Sequence, residues 1–191
     1  MKYLIITLAL FPVAVSAQSI TGYSNGFVVK NINDTLYGLV KIRNAFPYQI
    51  YNDVHFKNDK NSRPTSLSPE DLTSFAIGSE VYESKSPSKK EKKAFYQLMI
   101  RGFLSYYKME VYNGPNYGSS YEVILQKENT EETISYTAFN PMFPFKRKLS
   151  EYLKDYPELS AKIRYNKYDQ TKIQKIVNEY NAFIEARQLQ N

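Results

Sequence analysis

Cysteine is absent from all 191 positions, and that one absence removes several chemistries at once. Thiol nucleophiles, thiolate metal sites, redox pairs, disulfide staples and a lipid-modified N-terminal cysteine are all excluded. Tryptophan is absent too, and His55 is the only histidine. A zinc site built from protein ligands is therefore not expected, and no cofactor is implied. Seven glycines form no phosphate-cradling loop. Charge is nearly balanced, with 25 Lys and Arg against 19 Asp and Glu for a net charge of +6.

Long apolar runs are missing with one exception, at the start. Met1-Lys2 carries a positive charge, Tyr3 to Val15 is almost wholly apolar, and Val15-Ser16-Ala17 supplies small residues before Gln18. This pattern reads as a secretory signal peptide over residues 1–17, cleaved after Ala17. It is too short for a membrane span, which needs about 20 apolar residues, so no transmembrane segment is expected. The destination is the periplasm, the cell surface or the exterior, where nucleic acid is not an expected partner. A chain of this size can bury about two-thirds of its unfolded surface, so a hydrophobic core can replace the missing disulfides.

What is present is mostly strand. Leu36, Gly38, Val40 and Ile42 alternate with Tyr37, Leu39, Lys41 and Arg43, the period of a half-buried strand. In "YQIYNDVHFK", Tyr48, Ile50, Val54 and Phe56 face one way, while Gln49, Tyr51, Asp53, His55 and Lys57 face the other; Phe75, Ile77 and Val81 continue the pattern. Asn31 to Asp34 separates two such runs and reads as a hairpin turn. Its Asn33-Asp34-Thr35 also fits a glycosylation sequon, a signal common by chance. "FYQLMIRGFLSYYKMEVY" divides into two strands near Gly102, and "YEVILQKENTEETISY" turns on Glu128-Asn129-Thr130. "SLSPEDLTSF" holds a single turn in which Ser68 serves as acceptor for the next N–H groups. "KSPSKKEKK" (Lys85 to Lys93) is an exposed loop. Its plain reading is a solvated turn; its sharper one is contact with an anionic surface such as lipopolysaccharide or teichoic acid.

After Pro144 the period changes. Phe145, Leu149, Tyr152 and Leu153 fall at helical spacing, and Pro157 opens a second short helix holding Leu159 and Ile163. A last helix, capped by Asp169, carries Ile173, Ile176, Val177, Tyr180, Phe183 and Ile184 on one stripe, with Lys172, Lys175, Asn178, Glu179 and Glu185 outward. The expected fold class is α+β: an antiparallel, barrel-like or strongly curved sheet over residues 18–140, then a helical segment over 141–191 packed on it.

Catalytic devices are hard to assemble from these residues. His55 with Asp53 lacks a nucleophile elbow. Carboxylate pairs for glycoside hydrolysis need only meet in space, and Glu80 with Glu83 or Glu131 with Glu132 are the local clusters, each read as solvated beside a turn. The compositional anomaly is tyrosine, at eighteen residues. "SYYKMEVYNGPNYGSSY" gathers Tyr106, Tyr107, Tyr112, Tyr117 and Tyr121 around one loop. Of these, Tyr107, Tyr112, Tyr117 and Tyr121 are the candidate ligand-binding residues, since tyrosine stacks on sugars and anchors interfaces; packing within the sheet is the competing explanation.

The order of features resembles a family of exported proteins of Gram-negative, Bacteroidetes-type bacteria that has no established activity. The resemblance runs through "Gly-Phe-Val-Val" to "Asp34-Thr-Leu-Tyr-Gly", "SPEDLTSF", "FYQLMIRGFLSYYKMEVY" to "YEVILQKEN", and "DYPELSAKIRYNKY" to "IVNEYN". It implies export and architecture rather than chemistry. Where relatives often place a cysteine before the proline, this chain has Tyr156. The leading expectation is a non-enzymatic envelope or secreted protein that binds a protein partner or glycan. The alternative is a hydrolase acting on cell-wall or dietary polymers. Carboxylates clustered in a deep cleft would favour the enzyme, and a flat tyrosine patch the binder.

Overall fold

A hairpin opens the fold. Strand β1 (Ser24–Val29) pairs antiparallel with β2 (Thr35–Ile42), and Lys30 N–H donates to the Asp34 carbonyl across the turn at 3.0 Å. Eight more strands follow: β3 (Val54–Lys57), β4 (Thr65–Leu67), β5 (Ser74–Ile77), β6 (Glu80–Lys85), β7 (Ala94–Ile100), β8 (Leu104–Tyr112), β9 (Ser119–Lys127) and β10 (Thr133–Thr137). They form one 10-stranded antiparallel sheet in the order β10-β9-β8-β7-β6-β5-β1-β2-β3-β4. The sheet is open rather than a closed barrel, with β4 and β10 at its edges. Helices α1 (Phe145–Tyr152), α2 (Pro157–Arg164) and α3 (Ile173–Gln188) come last. The computed structural model describes residues 22–31, 33–42, 52–88, 91–137, 145–165 and 167–190. Residues 1–17, Ile32, Arg43, Tyr48 to Tyr51, Lys89, Lys90, Pro144 and the Phe145 side chain lie outside that description.

The pairing register shows where each face is buried. Val28, Val40, Val54, Phe56, Leu67, Phe75, Tyr82 and Phe95 all point to one side of β1–β7 and, with Leu72, form one core. On the opposite side, Ala94, Tyr96, Tyr107, Met109 and Ile124 of β7–β9 form a second. Two bonds show the sheet rolled over this second core. Lys85 Nζ donates to Gln126 Oε1 at 2.9 Å, and Thr133 Oγ1 donates to the Pro87 carbonyl at 3.2 Å. Lys85 of β6 and Gln126 of β9 are three strands apart, and Pro87, just past β6, lies four strands from β10, distances of about 14–19 Å in a flat sheet.

A third core lies on the first side of β8–β10, under the helices. Leu104, Tyr106, Val123, Leu125, Ile134 and Tyr136 meet Leu149, Leu153, Leu159, Ile163, Ile173, Ile176, Val177 and Tyr180. A β-bulge completes it. Leu98 pairs with Tyr107 but Ile100 with Tyr106, so one residue is inserted at Met99. The insertion turns Ile100 to the helix side, away from Leu98.

Two glycines are required where neighbouring strands crowd the first hairpin. Gly26 faces Gly38 across the hairpin, and a Cβ on either would lie 2.0 Å from the Ala76 carbonyl oxygen or 2.2 Å from that of Lys57.

Several local expectations change. Ser68 is a donor, not an acceptor: its N–H and hydroxyl both bond Asp71 Oδ2, at 2.8 and 2.7 Å. Residues 69–71 make a turn that buries Leu72. Gly78-Ser79 is a two-residue turn, so Val81 falls opposite Ala76 and Tyr82 takes the core position. Asp169 caps the 3-10 turn that leads into α3, accepting from Thr171 N–H at 2.8 Å. Glu179 is half-buried rather than outward, held by Lys162 at 2.6 Å and the Tyr168 hydroxyl at 2.7 Å. Tyr156 stacks on Phe183 with centroids 3.9 Å apart.

The helices are fixed to the sheet by more than their stripe. Asn181 acts as a surrogate strand partner: its Oδ1 accepts from Leu104 N–H at 2.7 Å and its Nδ2 donates to the Leu104 carbonyl at 3.0 Å. Removing this amide strands two backbone groups that are screened from water. Asn181→Ala is therefore expected to cost about 1–3 kcal/mol, against at most about 0.5 kcal/mol for the exposed Asn178→Ala; urea unfolding midpoints of the two variants measure the difference.

Candidate functional site

The loop between β8 and β9 separates the four candidate tyrosines. Gly114 and Gly118 adopt positive φ of 108° and 63°, and Asn113 N–H closes the turn on the Gly118 carbonyl at 2.9 Å. Tyr117 stands at the tip, 69% exposed, and Tyr121 is 43% exposed with Lys108 Nζ 3.5 Å from its ring centroid. Register places Tyr112, which is half-buried, and Tyr121 on one face. Tyr107 points to the other and is only 3% exposed. The structure thus brings Tyr112, Tyr117 and Tyr121 to one end of the sheet and leaves Tyr107 inside it. Tyr106 lies under the helices.

Tyr107 belongs to a buried polar cluster instead. Its hydroxyl donates to Glu83 Oε2 at 3.0 Å, Lys85 Nζ lies 3.0 Å from the same oxygen, and the Arg101 guanidinium bonds Glu83 Oε1. Only 14% of the Glu83 side chain is exposed, so its expected solvation beside a turn is corrected. Burial works to raise the Glu83 pKa, but the charges and hydrogen bonds of Lys85 and Arg101 outweigh it and hold the carboxyl below its ordinary range. The cluster forms one wall of a cavity of about 540 Å³ that also meets Gly102, Asn129 and Thr130.

A cleft of about 870 Å³ lies between β10 and the first two helices. Thr133, Ile134 and Ser135 line one side, and Arg147, Glu151, Tyr152 and Arg164 the other. Scaffold bonds build its floor. Lys127 Nζ contacts Asp155 Oδ1 at 2.8 Å, and the Tyr180 hydroxyl donates to Asp155 Oδ2 at 2.6 Å. The Tyr152 hydroxyl accepts from Lys127 N–H and donates to the Glu132 carbonyl, each at 3.0 Å. Burial pushes Asp155 up, yet the bonds from Lys127 and Tyr180 leave it below the usual carboxylate range. Lys154 bonds Glu151 at 2.8 Å and lowers it likewise.

The cations of the cleft are less occupied. Neither Arg147 nor Arg164 has an ion-pair partner among the described residues. Pro87 and Ser88, at the start of the lysine-rich loop, also border the cleft. Sequence reasoning missed both arginines. The available signal was the run Lys146-Arg147-Lys148 in a helix with no acid in its first turn, an order that works against the helix dipole.

Other chemistry is sparse. His55 is half-buried on β3, opposite Lys41 and Ser66. Among the described residues no group of three His, Asp or Glu side chains could hold a metal ion, and no helix is long and apolar enough to cross a membrane. Comparison with known proteins finds no matching family model, no matching curated protein and no matching solved structure.

The Glu83 cluster gives a pH-dependent stability of definite sign. A carboxyl whose pKa is lowered by folding stabilises the protein above its unfolded pKa, about 4.3, and loses that contribution as pH falls through the folded value. Glu83→Gln should be about 1–3 kcal/mol less stable than wild type near neutrality. The gap should narrow below about pH 4 in urea titrations run across the acid range.

Proposed function

We propose that the chain is an exported, non-enzymatic protein of the cell envelope or exterior that binds an acidic glycan in the cleft between β10 and the helices. Export rests on the charged start, apolar run and small-residue site of residues 1–17, and on the resemblance to exported Bacteroidetes-type proteins. Binding rests chiefly on one observation: two of the cleft's three carboxylates, Asp155 and Glu151, are ion-paired to Lys127 and Lys154, while Arg147 and Arg164 present guanidinium groups without ion-pair partners among the described residues.

The ligand class follows from shape and charge. A concave site of about 870 Å³ falls in the range that takes small ligands rather than a flat protein surface. Hydroxyls of Ser88 and Ser135 on its walls suit a ligand that both donates and accepts hydrogen bonds, and those of Thr130 and Thr133, which already donate to backbone carbonyls, can still accept. Guanidinium groups pair with planar carboxylates or sulfates. A few linked sugars bearing such acids meet all three conditions.

The chemistry of the cleft speaks for binding over hydrolysis. A glycosidase needs one carboxyl that stays protonated to serve as acid, whereas Asp155 and Glu151 are held ionised by their partners. Glu122 is pushed upward, by burial first, but it accepts a bond from the Tyr96 hydroxyl and borders none of the cavities described above.

Polygalacturonate and heparin serve as carboxylated and sulfated probes. The wild-type chain should be retarded in native gels containing one of them, less so as salt rises. Arg147→Glu combined with Arg164→Glu should weaken retention about tenfold or more with thermal unfolding nearly unchanged, since both side chains are exposed. No retention by either polymer, or equal retention by the variant, would contradict the reading.

A further inference from the structure

At the other end of the strand order, on the outer side of β1 and β2, the chain shows a second and differently built hollow. Phe27 and Tyr37 are direct cross-strand partners, with ring centroids 5.9 Å apart and planes tilted by 59°. Phe27 is half-buried beneath, and Tyr37 is 77% exposed above it. A lone exposed tyrosine on a strand needs no explanation. This one does, because it stands in a concavity of about 670 Å³ whose rim carries Asn25, Asn58, Asp59 and Lys60.

We infer that this hollow is a stacking site for a neutral sugar ring, separate from the acidic-glycan cleft and independent of it. A pyranose has one face of C–H groups, whose slightly positive hydrogens sit well on the negative face of an aromatic ring. Around its edge run hydroxyls that each donate and accept. The site offers both kinds of partner. The Tyr37 ring supplies the platform, and the Phe27 edge limits how that ring can swing. Asn25 and Asn58 amides provide donors and acceptors together. Gly78 on the rim carries no side chain, and a Cβ there would meet nothing within 4 Å, so the approach to the platform past the β5–β6 turn is open.

The rim is also set in place. Asp59 Oδ1 accepts from the backbone N–H groups of Asn61 and Ser62, at 2.7 and 2.8 Å, which fixes the turn between β3 and β4. Hydrogen bonds from Ser62 and Asn61 lower the Asp59 pKa and the charge of Lys57 helps, while Lys60 adds a second positive charge, on the rim itself. With one acid and one base among its lining residues, the rim suits an uncharged ligand, in contrast to the unpaired arginines of the cleft. Cation-binding is not suggested, since one carboxylate with two amides is too few ligands for calcium.

Six neutral hexasaccharides (cello-, laminari-, malto-, xylo-, manno- and chitohexaose) titrated into the full chain, with binding followed by calorimetry, test the inference. At least one should bind, and Tyr37→Ala should weaken it about tenfold or more with an unchanged unfolding midpoint. Tyr37→Phe, which keeps the platform, should restore binding. The Arg147→Glu, Arg164→Glu double variant should bind the neutral sugar normally, so failure of the cleft reading leaves this one standing. Binding of none of the six would overturn the inference, as would equal binding by Tyr37→Ala. An equal loss in Tyr117→Ala would also overturn it and move the sugar to the β8–β9 loop.

Discussion

Phe95 and Tyr96 are adjacent on β7, both fully buried, and they point to opposite sides of the sheet. This arrangement is the constraint from which the rest follows. On the Phe95 side the N-terminal strands roll inward around Val28, Val40, Phe75 and Tyr82. On the Tyr96 side the C-terminal strands roll the other way around Tyr107 and Ile124. The buried face therefore reverses at β6–β7. One consequence is that the outside of the C-terminal roll, with Leu104, Tyr106, Leu125 and Ile134, is apolar and must be covered. Burying a large side chain stabilises by about 1.5–3 kcal/mol, so leaving that surface wet would be prohibitive. The helices exist to cover it.

Seating the helices creates the cleft. Asn181 locks α3 to Leu104, Tyr152 joins α1 to Lys127 and to the Glu132 carbonyl, and Asp155 ties Lys127 to Tyr180. The bonds of Tyr152 and Asp155 occupy polar groups on the cleft lining, and α1 packs against the edge strand β10. Arg147 of α1 and Arg164 of α2 then border a concavity in which Asp155 and Glu151 are already ion-paired.

Much of the architecture was legible because burial writes a period into sequence. Leu36, Gly38, Val40 and Ile42 share a face as their alternation requires, and Ile173, Ile176, Val177 and Tyr180 are buried as their helical spacing requires. What stayed hidden depended on partners distant in the chain. Glu83 looks like a turn carboxylate until Arg101 and Tyr107, 18 and 24 positions away, close on it. Asn181 reads as a polar residue at the border of a stripe, while its partner lies 77 positions earlier. The strand "AFYQLMI" opens with three buried residues in a row, so its start has no alternation to read, and the bulge at Met99 leaves no mark in composition. Tyr107 was grouped with Tyr112, Tyr117 and Tyr121 by proximity in sequence, but alternation along β8 sends it to the opposite side.

The central claim is that the concavity bounded by β10, α1 and α2 receives an acidic glycan. Amide chemical-shift mapping of the isotope-labelled protein during titration with an oligogalacturonate of a few units tests it most directly. The account predicts that the largest shifts fall on Thr133 to Ser135, Arg147, Glu151 and Arg164, saturate together, and fade as salt is raised. Shifts that cluster at Asn113 to Tyr121 instead, with β10 and α1 silent, would contradict it.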